Sequence, residues 1–78
     1  MINDKRARQR IAETKLNYPP GTRLELIHME DSIAPVPSGT RGSVQTVDDG
    51  GNIHMRWDNG RTLAIVPQVD SFRKLTEQ

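Results

Sequence analysis

His28, His54 and the aspartates Asp48, Asp49, Asp58 and Asp70 are the side chains with most capacity for metal binding or acid–base work, and their spacing favours neither. The histidines stand apart, without any cysteine and without the helical HExxH spacing of a zinc site, so imidazoles with ordinary hydrogen-bond partners are expected. Asp48-Asp49-Gly50-Gly51 begins like a calcium loop but lacks the alternating oxygen ligands and closing glutamate of an EF-hand; a turn explains it. All four aspartates fall in turns expected to be solvated, where no burial would raise a carboxyl pKa for acid catalysis. Ser32, Ser38, Ser43 and Ser71 occur in no GxSxG context. Ser38-Gly39-Thr40-Arg41-Gly42 contains the GxxG spacing that KH domains use to clamp a nucleic-acid backbone, but that use needs a helix-loop-helix, and this run leads into a strand. No Walker or dinucleotide fingerprint is present. The reading is a non-enzymatic protein with no catalytic residue, cofactor or metal.

Binding chemistry is better represented. Residues 1–16 carry five basic and two acidic side chains, net +3, whereas residues 17–78 carry six basic and eight acidic, net −2. The body would weakly repel a polyanion, so attraction to phosphate must come from the N-terminal segment or from local clusters. Lys5, Arg6, Arg8, Arg10 and Lys15 form the basic segment, and Arg6, Arg8 and Arg10 with Arg41 and Arg56 are the candidate nucleic-acid contacts. The bland alternative is a solvated helix face, helped by Asp4–Arg8 and Arg10–Glu13 pairs. The other candidate surface is the connection from Glu30 to Thr40. There Ile33 and Val36, held extended by Pro35 and Pro37, have no obvious place in a core, which suits a protein contact. Ile33, Val36 and Arg41 at this loop, with Arg56 and Arg61 beside the following hairpin, are the candidate partner-binding residues.

These residues must be carried by a very small scaffold. Seventy-eight residues make at most one domain with a compact core. The absence of cysteine excludes disulfides and fits a reducing compartment. MINDKRARQR has no apolar signal-peptide core, and no stretch approaches the ~20 apolar residues of a membrane span, so a cytoplasmic protein is expected. The first 17 residues read as one helix, with Asn3 or Asp4 as N-cap and Tyr18-Pro19-Pro20 as its stop.

Beyond Gly21 the pattern changes to short β-like runs, placed at residues 23–29, 42–47, 52–57, 61–65 and 72–75, with a turn at 67–71. The expected architecture is mainly β: a five-stranded SH3-like barrel over residues 18–78, preceded by the basic helix over 1–17.

Two details of register follow. A two-residue Asn59-Gly60 loop would put Leu63 and Ile65 on the face of His54 and Arg56. A three-residue loop, Asp58-Asn59-Gly60 with Gly60 left-handed, instead faces Ile53 to Ile65, Met55 to Leu63 and Trp57 to Arg61, collecting one apolar face. The three-residue loop is expected, with Trp57 turned into the core or its rim rather than offered to a base; three aromatics cannot both fill a barrel and build a stacking platform. In the first strand, Leu24 and Leu26 share one face while Ile27 and Met29 fall on the other with Arg23 and Glu25. The helix, through Ile11 and Leu16, is the simplest cover for them; a bulge or a partner would serve as well.

The stretch YPPGTRLELIHMEDSIAPVPSGTRGSVQTVDDGGNIHMRWDNGRTLAIVPQVDSF, Tyr18 to Phe72, resembles a small family of bacterial domains known as a domain of unknown function and often encoded on phages, plasmids and integrative elements. The resemblance rests on the PGTR, GTRG, VDD and RWDNGR blocks. It implies an SH3-like barrel with a short preceding helix and transfers no site residue. The gene context of such relatives implies a mobile-element accessory protein that binds a protein partner, for example a host CRISPR or other defence component. The rival expectation is nucleic-acid binding through the arginine-rich helix, and homo-oligomerisation through an open barrel edge or the helix is a further one.

Overall fold

A computed structural model describes residues 4–30 and 33–76. The first element is helix α1, Asp4–Asn17. Its sequence has no Gly or Pro, and Lys15 in the last turn suits the negative end of the helix dipole. Tyr18 N–H closes the last turn on the Thr14 carbonyl at 3.0 Å, and two prolines then forbid continuation. Asn3 lies outside the described residues.

Four strands follow among the described residues: β1 Arg23–His28, β2 Arg41–Val47, β3 Ile53–Trp57 and β4 Ser71–Lys74. They form one antiparallel sheet in the order β3-β2-β1-β4. The expected fifth strand at residues 61–65 reduces to a single bridge, Ile53 with Ile65, and the sheet does not close into a barrel. The hairpin before it has the expected register. Gly60, at φ +91°, donates to the Trp57 carbonyl at 2.9 Å, and Trp57 N–H donates to the Arg61 carbonyl at 2.9 Å. Between the two ends the Leu63 carbonyl, which a regular ladder would give to Met55, accepts the Trp57 indole N–H at 2.8 Å. The side chain has displaced the ladder, so only the ends of the pairing survive.

The core comprises Leu24, Leu26, Met29, Val36, Val44, Val47, Ile53, Met55, Trp57 and Ile65, with Tyr18, Leu63 and Phe72 packed against it. Trp57 is 1% exposed, as its place on a face with Ile53 and Met55 requires. Each fully buried aliphatic or aromatic side chain contributes roughly 1.5–3 kcal/mol.

Two bulges set which residues reach this core. Strict alternation from Leu24 and Leu26 would send Met29 outward. The pairing of β1 with β4 slips between Leu26 and His28, so Ile27 and His28 both stay outside and Met29 turns in. A second slip between Val44 and Thr46 leaves Gln45 and Thr46 outside and returns Val47 to the core.

The helix is not the cover for the first strand. Leu16 is 81% exposed, and Ile11 packs on the β2–β3 turn, where its Cγ1 would lie 3.1 Å from a Cβ placed on Gly51. Lys15 pairs with Asp49 at 3.1 Å, and the Gln68 amide oxygen, oriented to accept, takes Arg10 Nε and one terminal nitrogen at 2.8 and 2.9 Å. Arg10 thus turns to Gln68, not to Glu13. Buried Asp70 joins the remaining loops, accepting from Glu30 N–H and Val66 N–H, each at 2.8 Å.

Candidate partner-binding surface

With Leu24 and Leu26 turned inward, Arg23 and Glu25 must face out, and the strand registers carry that face across the sheet. Arg73, Glu25 and Arg41 stand opposite one another on β4, β1 and β2, and Arg23, Ser43 and Arg56 on β1, β2 and β3. With strands about 4.8 Å apart, each row of three spans roughly 10 Å. Glu25 accepts from Arg73 at 3.0 Å and from Arg41 at 3.1 Å. Its carboxyl is held below the usual range by the Arg73 hydrogen bond foremost and by Arg41 next, against some desolvation. Arg23 grips Asp58 with two parallel bonds of 2.9 and 2.7 Å, lowering the Asp58 pKa, and also donates to Ser43 at 3.2 Å. Arg56 is exposed and makes no ion pair among the described residues.

A second surface lies at the rim, where the 30–40 loop meets the β3 hairpin. Arg61 donates a short hydrogen bond to the Ala34 carbonyl. Ile33, next to it, is 89% exposed. Val36 is not a contact residue: it is 2% exposed, and its N–H points to the Met29 sulfur at 3.4 Å. The β1 bulge has brought Met29 inward to receive Val36, so the loop supplies a core residue. Gly39 N–H to the Leu26 carbonyl, 2.7 Å, fastens its far end.

The sequence-selected residues therefore divide. Arg61 reaches the backbone of Ala34 beside Ile33 at the rim, Arg41 and Arg56 share the sheet face, and Val36 joins the core. The nucleic-acid set is not brought together. Arg6 and Arg8 are exposed on α1, which rests on the β2–β3 turn through Ile11 and Lys15. Arg41 and Arg56 lie toward the other end of that hairpin, about 20 Å along β2 for Arg41. Arg23, Arg73, Glu25 and Asp58 were missed as site residues. The period-2 pattern already placed Arg23 and Glu25 outward, but only the strand register puts Arg73 beside them.

At the helix end of the sheet, Asp48 organises its turn. One carboxylate oxygen accepts from Gly50 and Asn52 N–H, each at 2.9 Å, and the other lies 2.7 Å from His54 Nε2. The His54 contact chiefly, then the Asn52 amide, lowers the Asp48 pKa from 3.8 to about 2. A carboxyl depressed on folding stabilises the fold fully above its unfolded pKa, and that contribution disappears as pH falls from 3.8 toward about 2. Thermal unfolding across this window should show the midpoint falling with acid, and Asp48→Asn should make that fall shallower; an unchanged slope would remove Asp48 as its source. Among the described residues no group of three or more His, Asp or Glu side chains is arranged to hold a metal ion. No helix of those residues is long and apolar enough to cross a membrane.

The family described as "Domain of unknown function (DUF4314)" matches residues 7–75, which run from the first turns of α1 to the residue after β4. The chain belongs to this family. The DUF4314 match takes in α1 from Ala7 onward and the whole sheet, so the helix face resting on Gly51 lies within the family's unit. No curated protein and no solved structure matches the chain.

Proposed function

We propose that this DUF4314 domain is a non-enzymatic binding module that works through protein contacts. It is an accessory protein of a phage or other mobile element that engages a host factor, such as a component of a CRISPR or other defence system. Its scaffold reads as an SH3-like barrel left open, since the meander β1-β2-β3 is followed by a segment that returns to β3 at Ile65 and then by β4, which pairs with β1. Ile33 carries the protein-contact reading. It is an almost fully exposed isoleucine on a loop fastened to the body by Arg61 at Ala34, by Val36 in the core and by Gly39 at Leu26. Scattered apolar surface residues are ordinary, but one held outward on a fastened loop is a ready anchor for a partner's apolar pocket.

The experiment is capture of a partner by the tagged chain from host lysate, with and without nuclease. Capture should survive nuclease, fall about tenfold or more with Ile33→Asp, and persist when Arg6, Arg8 and Arg10 become Ala. Capture that is lost on nuclease treatment and with the arginine variant, but not with Ile33→Asp, would replace this reading with nucleic-acid binding, whose affinity should also drop steeply with salt.

A further inference from the structure

The outer sheet face holds Arg23, Arg41, Arg56 and Arg73 against two carboxylates, Glu25 and Asp58, a local excess of two positive charges on a body that is otherwise net acidic. We infer that this face is the docking site for an acidic segment of the protein partner, whose carboxylates are taken by the guanidinium groups of Arg56, Arg41 and Arg73. The inference rests on the protein-contact reading and names the chemistry of what is bound.

The arrangement of the face supports a carboxylate ligand in three ways. First, Glu25 lies between Arg41 and Arg73 and takes both on one oxygen, 3.1 and 3.0 Å away, so each guanidinium is oriented over the sheet with donors left over. Arginine presents its donors in a planar fork that matches a carboxylate, and a fork already aimed loses less freedom on binding. Second, Arg56 is exposed at the β3 side with no ion pair among the described residues, so a carboxylate meets an unshared guanidinium there. Third, two acidic groups interrupt the face. A continuous phosphate backbone would have to pass Glu25 and Asp58 and then a net-acidic body, whereas discrete carboxylates on a peptide can alternate with them. The arginines of α1 that would extend a phosphate track lie at the other end of the β2–β3 hairpin.

The test uses the full chain, isotope-labelled for NMR and titrated at low salt with a short poly-glutamate peptide and, separately, with a single-stranded oligonucleotide of equal charge. The peptide should shift the side-chain Nε–Hε signals of Arg41, Arg56 and Arg73 and the amides of β1 and β2, leaving α1 unmoved. Arg56→Gln with Arg73→Gln should weaken it about tenfold. Arg56→Lys with Arg73→Lys, which keeps the charge and loses the fork, should recover only part of that loss. All four substitutions are at exposed positions, and preserved amide dispersion confirms folding. Shifts confined to α1, tighter binding of the oligonucleotide to the same arginines, or no saturable binding of the peptide would each overturn the inference. None of these outcomes alters the Ile33→Asp capture result, so the two readings fail separately.

Discussion

Trp57→Ala is expected to lower unfolding stability by about 3–5 kcal/mol, the range for truncating a fully buried large aromatic. A domain of this size is stable by roughly 4–12 kcal/mol, so the variant should lose about a quarter or more of its stability and, at the lower end of that range, be unfolded at ambient temperature. The loss has two parts. The indole fills the space between β2, β3 and the returning segment, and its N–H is the partner of the Leu63 carbonyl. Trp57→Phe separates them: it keeps most of the packing, gives up the hydrogen bond, and should cost clearly less. Chemical denaturation of the three proteins measures this, and equal stability of Trp57→Ala and the parent would mean that the indole is not the centre of the core.

The second large effect should come from adding one carbon. A Cβ on Gly42 would lie 2.7 Å from the Arg56 carbonyl oxygen and 2.9 Å from both Trp57 Cα and Cε3. Two of these contacts are with backbone, so no side-chain rotation relieves them; β2 and β3 must part where they pair at Gly42 and Trp57. Overpacking of this kind costs about 1–3 kcal/mol, and Gly42→Ala should sit at the top of that range. Gly21→Ala and Gly39→Ala are the controls, because a Cβ there meets nothing within 4 Å and the expense is only that of a left-handed backbone. Denaturation midpoints for the three variants decide the matter; a Gly42→Ala loss no greater than the controls would show that the strands separate freely.

Much of this frame was legible in the chain because each signal was local. Two prolines after Tyr18 end the helix whatever else is present. The three-residue loop followed from asking which register keeps Leu63 and Ile65 off the face of His54 and Arg56, and Ile53 does meet Ile65. What escaped was non-local. The slip after Leu26 reverses the parity of Met29, and nothing in LELIHME marks it. Val36 finds its core neighbour only because Met29 turns inward at that slip. Residues 61–65 have the composition of a strand, yet the Trp57 indole N–H takes the Leu63 carbonyl that the ladder would have given to Met55. The row of Arg73, Glu25 and Arg41 needed the pairing of β1 with β4, whose partners are about 50 residues apart in sequence.

The long loop between β1 and β2 has one further consequence. Val36 is anchored among the core side chains while Ile33, three positions earlier, stands in water, and the Arg61 bond to Ala34 lies between them. The ordering entropy of this stretch is thus settled when the chain folds, and the partner contact proposed for Ile33 would start from a preorganised shape. Under that proposal, tightness of binding there and integrity of the interior would be one property of the molecule, so a change that loosens the packing around Val36 would blunt recognition without touching the partner.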